Sequence, residues 1–203
     1  MSDAAMRLFV ALEIPAGVCA ALGDVQARLR PHAGHGVRWT DPRGIHLTLK
    51  FIGEVETARV EAIRAALARV RAPQPVDAAF RGLGWFPNAR RPRVLWAGVE
   101  TSSGMAALAR EIEAALEPLR IAREQREFQP HLTLARLKPE ALSKEGMEAL
   151  RREVERAGRP EFGRAEYAEF DLMESKLLPQ GAEYTRVERF SFAGLHAARA
   201  EGR

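Results

Sequence analysis

The tetrapeptide HLTL occurs twice, at His46 to Leu49 and at His131 to Leu134, 85 residues apart. A repeated tetrapeptide of common residues is weak by itself, but the same offset carries over much of what surrounds it. It moves the apolar stretch MRLFVALEI onto RVLWAGVE and the helical AGVCAALGDVQARLR onto the start of SGMAALAREIEAAL. It also moves the segment opening at Thr57 onto one opening near Leu142, and Pro75 onto Pro160. One offset that superimposes strand, helix, motif strand and helix implies an internal duplication of a β-α-β-α-β unit. The fold class expected is α+β, with two pseudo-symmetric lobes whose mainly antiparallel sheets flank a central cleft and whose helices lie outside. The lobes are interleaved in a single domain, 1–203, with approximate repeats at 6–85 and 91–170, additional strands in 171–195 and a tail at 196–203.

Hydrophobicity patterns place the elements. MRLFVALEI is apolar, short and stopped by Pro15, as a buried strand is. AGVCAALGDVQARLR follows with helical periodicity up to Pro31, and VRWT is a short strand before the turn DPRG. The first motif strand runs from Ile45 to Ile52 and stops at Gly53. A helix capped by Thr57 comes next, then strands at PVDAAFRGLGWF and RPRVLWAGVE around the basic turn PNARRPR. After the helix SGMAALAREIEAALEPLR and the second motif strand, a helix spans roughly 141–157, and strands are expected at EYAEFDLMESKLL and AEYTRVERFSFAG.

Composition narrows the function. Hydrophobic residues make up 46% and charged residues 29%, an ordinary globular balance. The net charge of +4 favours an anionic partner only moderately. The one cysteine, Cys19, excludes an internal disulfide framework and any multi-cysteine zinc site. The start MSDAAMRLFVALEIP has no basic region followed by a long apolar one, and no apolar run reaches membrane-spanning length. A cytoplasmic protein without membrane association, and a monomer, is expected.

In a strand, alternate side chains share a face. Ile45, Leu47, Leu49 and Phe51 should therefore face the core, while His46, Thr48 and Lys50 project from the other side. Histidine, with an unperturbed pKa of about 6.5, takes up and releases protons near neutral pH. Two of them on opposite sides of a phosphorus atom can divide phosphodiester hydrolysis, one taking a proton from water and the other giving one to the leaving oxygen. The Thr hydroxyls two residues on can donate to the non-bridging oxygens where charge develops. Neither motif strand carries an Asp, Glu, Cys or second His beside its His, so no metal and no cofactor is expected. His32, His35 and His196 lack this setting and are read as surface residues.

The pair HLTLKFIGEV and QPHLTLAR, with RLFVALEIP, RWTDPRGIHLTLKFIGEV, RVLWAGV and LMESKLLPQGAEYTRVERF, resembles the 2H phosphoesterase superfamily. Within it the chain is similar to the bacterial and archaeal RNA 2′,3′-cyclic phosphodiesterases, also called 2′-5′ RNA ligases. The resemblance implies metal-independent opening of a 2′,3′-cyclic phosphate on an RNA end to a 2′-phosphomonoester. It makes His46 the proton donor, His131 the proton acceptor and Thr48 and Thr133 phosphate ligands. It adds Arg136, five residues after the second His, as a further phosphate ligand. Strict alternation puts Arg136 on the face opposite His131, so either the strand ends or bulges before it, or its side chain reaches around the edge.

Lys50 shares the parity of His46 and is a candidate substrate contact, with a solvated lysine as the competing reading. Phe9, on the face opposite Leu8, Val10 and Leu12, is a candidate for stacking on a base, against the commoner role of a packing residue. Trp39, Trp85 and Trp96 are read as core or lobe-interface residues. The arginines of NARRPR either track an RNA backbone or solvate a turn. The rival activities are 2′-5′ ligation or phosphodiesterase action at the same site, and binding of RNA ends with little turnover.

Overall fold

The computed structural model describes residues 5–72, 74–125, 128–178 and 181–192. The first apolar stretch forms strand β1 (Ala5–Glu13), and helix α1 (Ala16–Leu29) follows directly after Pro15. Val18, Leu22, Val25 and Leu29 make the buried stripe of α1 at helical spacing. Then come β2 (Val37–Trp39), β3 (His46–Glu56), α2 (Val60–Leu67), β4 (Val76–Phe86) and β5 (Val94–Thr101). The second half supplies α3 (Ser103–Leu116), β6 (His131–Leu137), α4 (Lys144–Ala157), β7 (Glu161–Tyr167), β8 (Glu169–Leu178) and β9 (Gly181–Ser191).

Two helix starts differ from expectation. Thr57 opens a 3-10 turn rather than capping a helix, and α2 begins only at Val60 with Arg59 at its N-cap. The last helix starts at Lys144, because Pro139–Ala141 forms its own 3-10 turn and Ser143 caps the helix, its hydroxyl accepting from the Gly146 N–H at 3.0 Å. No helix among the described residues is long and apolar enough to cross a membrane.

Every strand pairing is antiparallel, in two sheets ordered β3-β1-β8-β9 and β2-β6-β5-β4-β7. Without the short edge strand β2, the second sheet reads β6-β5-β4-β7, which matches the first place for place. The motif strands β3 and β6 thus occupy equivalent positions beside β1 and β5. Each sheet draws strands from both halves of the chain, since β8 and β9 complete the sheet of β1 and β3 while β2 and β4 join that of β5 and β6. One continuous apolar core joins the helices to both sheets, with Leu8, Leu12, Leu22, Leu47, Ile63, Leu95, Leu108 and Leu132 all essentially inaccessible. Burying each such side chain stabilises the fold by roughly 1.5–3 kcal/mol.

Both motif strands carry a β-bulge, and it redirects the residues after it. Opposite β1, Thr48 pairs with Ala11 and Lys50 with Val10, which leaves Leu49 without a partner. Opposite β5, Thr133 pairs with Trp96 and Ala135 with Leu95, which leaves Leu134 without one. The two bulged leucines stand at the same place, three residues after each motif His. An inserted residue reverses parity beyond itself. Phe51, expected in the core, is accordingly 60% exposed, and Lys50, expected beside His46, is 4% exposed. A second bulge at Ile52 and a positive φ at Gly53 let β3 continue to Glu56 instead of stopping at Gly53.

Candidate active site

His46 and His131 are the first residues of β3 and β6, two strands that lie against each other where the sheets meet. Each ring is held the same way. His46 Nδ1 lies 2.9 Å from the Gly44 carbonyl oxygen and His131 Nδ1 2.8 Å from that of Gln129, in both cases two residues back along the chain. A carbonyl only accepts, so Nδ1 carries the proton in both rings and Nε2 is left outside these hydrogen bonds. Thr48 and Thr133, two residues on and half-buried, lie on the same strand face as the histidine before each.

Aromatic rings set the environment of each imidazole. Phe9 lies beneath His46 with ring centroids 4.6 Å apart, and Tyr184 from β9 meets the same imidazole edge-on at 4.7 Å. His131 is met edge-on by Phe86 at 4.9 Å, and Phe86 in turn packs on Trp96 at 5.2 Å. Gly84 makes that packing feasible, since a Cβ there would fall on the Trp96 ring. Burial pushes the His46 pKa below the usual 6.5, outweighing the opposite effect of the Gly44 hydrogen bond.

The bulge at Leu134 resolves the direction of Arg136. Ala135 and Leu137 are buried and Arg136 between them is exposed, so Arg136 returns to the face of His131 and Thr133. Gln26, itself buried in α1, holds this bulge. Its Nε2 donates to the Leu134 carbonyl at 2.9 Å and to that of Thr40 at 2.8 Å, while the Thr40 N–H donates to Leu134 O at 2.9 Å.

Two weaker candidates do not stand where the site needs them. Lys50 turns away from His46 to bond the Ala122 carbonyl at 2.5 Å and Glu113 at 2.7 Å, its side chain 2% exposed. Phe9 is 2% exposed, sealed by His46 and Tyr184, and so offers no open ring face for a base. The exposed ring nearby is Phe51, 6.2 Å from Phe9. Trp39 and Trp85 pack on the core as expected, whereas His196 lies outside the described residues. Tyr184 and Phe86 had no sequence signal, because the pairing that brings each to its His crosses sheets assembled from both halves. No group of three or more His, Cys, Asp or Glu side chains able to hold a metal occurs among the described residues.

Comparison with known proteins gives the same doubled pattern. A curated RNA 2′,3′-cyclic phosphodiesterase of Thermus thermophilus is 37% identical, with the match covering 94% of this chain and 92% of that protein. One from Archaeoglobus fulgidus is 31% identical over 91% of this chain and 99% of its own length. Among solved structures, a protein of Thermus thermophilus superimposes with a TM-score of 0.77 at 36% identity, over 94% of this chain and 100% of that one. E. coli LigT complexed with 3′-AMP superimposes at 0.74 and 25% identity, with the same coverage of both chains. The family model of LigT-like phosphoesterases matches twice, over residues 12–96 and 99–184. Each match contains one His-x-Thr strand, and with both halves accounted for in this way, the chain belongs to the LigT-like phosphoesterase family.

Proposed function

We propose that the protein hydrolyses the 2′,3′-cyclic phosphate at an RNA end to a 2′-phosphomonoester, with His46 and His131 as general acid and base and no metal. The observation that carries this reading is the matched anchoring of the two imidazoles, each tied through Nδ1 to a carbonyl two residues back with Nε2 free for proton transfer. The names of the relatives agree with the activity. His131 Nε2 takes a proton from water as the water oxygen bonds to phosphorus. The bond from phosphorus to the 3′ oxygen breaks, and His46 Nε2 protonates that oxygen. Thr48, Thr133 and Arg136 hold the non-bridging oxygens, where charge rises in the transition state. The protein acts as a monomer on RNA ends or nucleotides that bear the cyclic phosphate.

Incubation with a nucleoside 2′,3′-cyclic phosphate in EDTA should release the 2′-phosphate, and His46→Ala and His131→Ala should each slow this at least about a hundredfold. Activity that appears only when a divalent metal is restored would contradict the metal-free scheme. Wild-type rates in both variants would remove the two histidines from the chemistry.

A further inference from the structure

The pairing of β2 with β6 sets Arg38 directly opposite Arg136. Directly opposed residues of an antiparallel pair point to the same face, with Cβ atoms about 4.5–5.5 Å apart, and like charges so placed repel. The burial pattern agrees with this. Leu137 and Ala135 are buried, and their partners Val37 and Trp39 pack on the core, while both arginines are exposed. Neither guanidinium forms an ion pair among the described residues. Lys138, exposed and two residues after Arg136, adds a further positive charge at this end of β6. Two unpaired guanidiniums side by side, with further positive charge around them, call for an anion.

The reacting phosphate does not account for both arginines. A cyclic phosphodiester carries one negative charge and two non-bridging oxygens. Under the function proposed above, on which this step rests, Thr48, Thr133, Arg136 and protonated His46 already supply more donors and more charge than that group needs. We infer that Arg38 binds the next phosphodiester on the 5′ side of the reacting nucleotide, so that the site recognises the end of an oligonucleotide through two successive phosphates. Arg136 holds the first phosphate, and Arg38, one strand further toward the sheet edge, holds the second.

A dinucleotide ending in a 2′,3′-cyclic phosphate, made with either a normal phosphodiester or a neutral methylphosphonate between its nucleosides, tests this. The wild-type protein should turn over the charged form with kcat/KM about tenfold higher, the effect of one charge-assisted guanidinium contact. Arg38→Gln should bring the two forms to within about twofold of each other, since the guanidinium that holds the second phosphate is gone. Equal rates for the two linkages in the wild type, or an unchanged preference in Arg38→Gln, would overturn the assignment. The linkage contrast in the wild type needs no variant and does not depend on how a substituted chain folds. The same pair of dinucleotides ending in a 2′-phosphate, measured by binding alone, decides the role of Arg38 without turnover. Failure to hydrolyse a mononucleoside cyclic phosphate would instead count against the proposed activity.

Discussion

At the scale of single residues, the proton-donor role proposed for His46 presents a proton-balance problem. Burial holds its pKa below 6.5, so in the free protein the ring is neutral at pH 7, yet a proton donor has to be charged. An anion bound beside the ring favours the charged form and raises the pKa. In a proton NMR titration the His46 ring should therefore have its midpoint below 6.5 when free, and saturation with a nucleoside 2′-phosphate should move it upward. A midpoint that falls or stays put would take the donor role away from His46. Lys50 makes the opposite case, a charge whose work is structural. Its ammonium is buried between Glu113 and the Ala122 carbonyl, and removing it leaves a carboxylate without its partner. Lys50→Met should cost about 3 kcal/mol in chemical denaturation, the usual penalty for breaking a buried pair from one side, while affinity for a nucleoside 2′-phosphate is retained. Loss of affinity without loss of stability would return Lys50 to the site.

At the scale of elements, the decisive feature is the bulge three residues after each His. It turns Arg136 back toward Thr133, and the equivalent bulge exposes Phe51 and buries Lys50. The Leu134 bulge is held from outside its own strand, by the two hydrogen bonds of Gln26 to Leu134 and Thr40. Gln26→Leu should leave the Thr40 carbonyl unpaired, cost about 1–3 kcal/mol in stability, and raise KM for the cyclic phosphate through a misdirected Arg136. Unchanged KM in the folded variant would show that the bulge stands without Gln26. The limits of sequence reading lie at this same level. Strand and helix periodicity, the doubled motif and the His-Thr face were legible because each is written in consecutive residues. The directions of Lys50, Phe51 and Arg136 were not, because a bulge depends on which residue of a partner strand is skipped. Nor were Tyr184 and Phe86, which reach the imidazoles only through the assembled sheets.

At the scale of the whole molecule, the two halves repeat one pattern but exchange strands between their sheets. The sheet of β1 and β3 is completed by β8 and β9, which come from the second half, and the sheet of β5 and β6 takes β2 and β4 from the first. A fragment ending near residue 90 would leave β1 with one exposed edge and β4 without either neighbour. Its complement would lose β4, which separates β5 from β7 in the second sheet. Unpaired strand edges and halved cores are poor folding units. Fragments 1–90 and 91–203 should therefore each give amide NMR spectra without native dispersion and unfold without a cooperative transition. Mixed or expressed together, they should regain both, since every missing pairing is then supplied by the other piece. A half that folds cooperatively by itself would mean that the duplication left two autonomous domains. The single active site would then arise from their contact, and not from strands the two halves exchange.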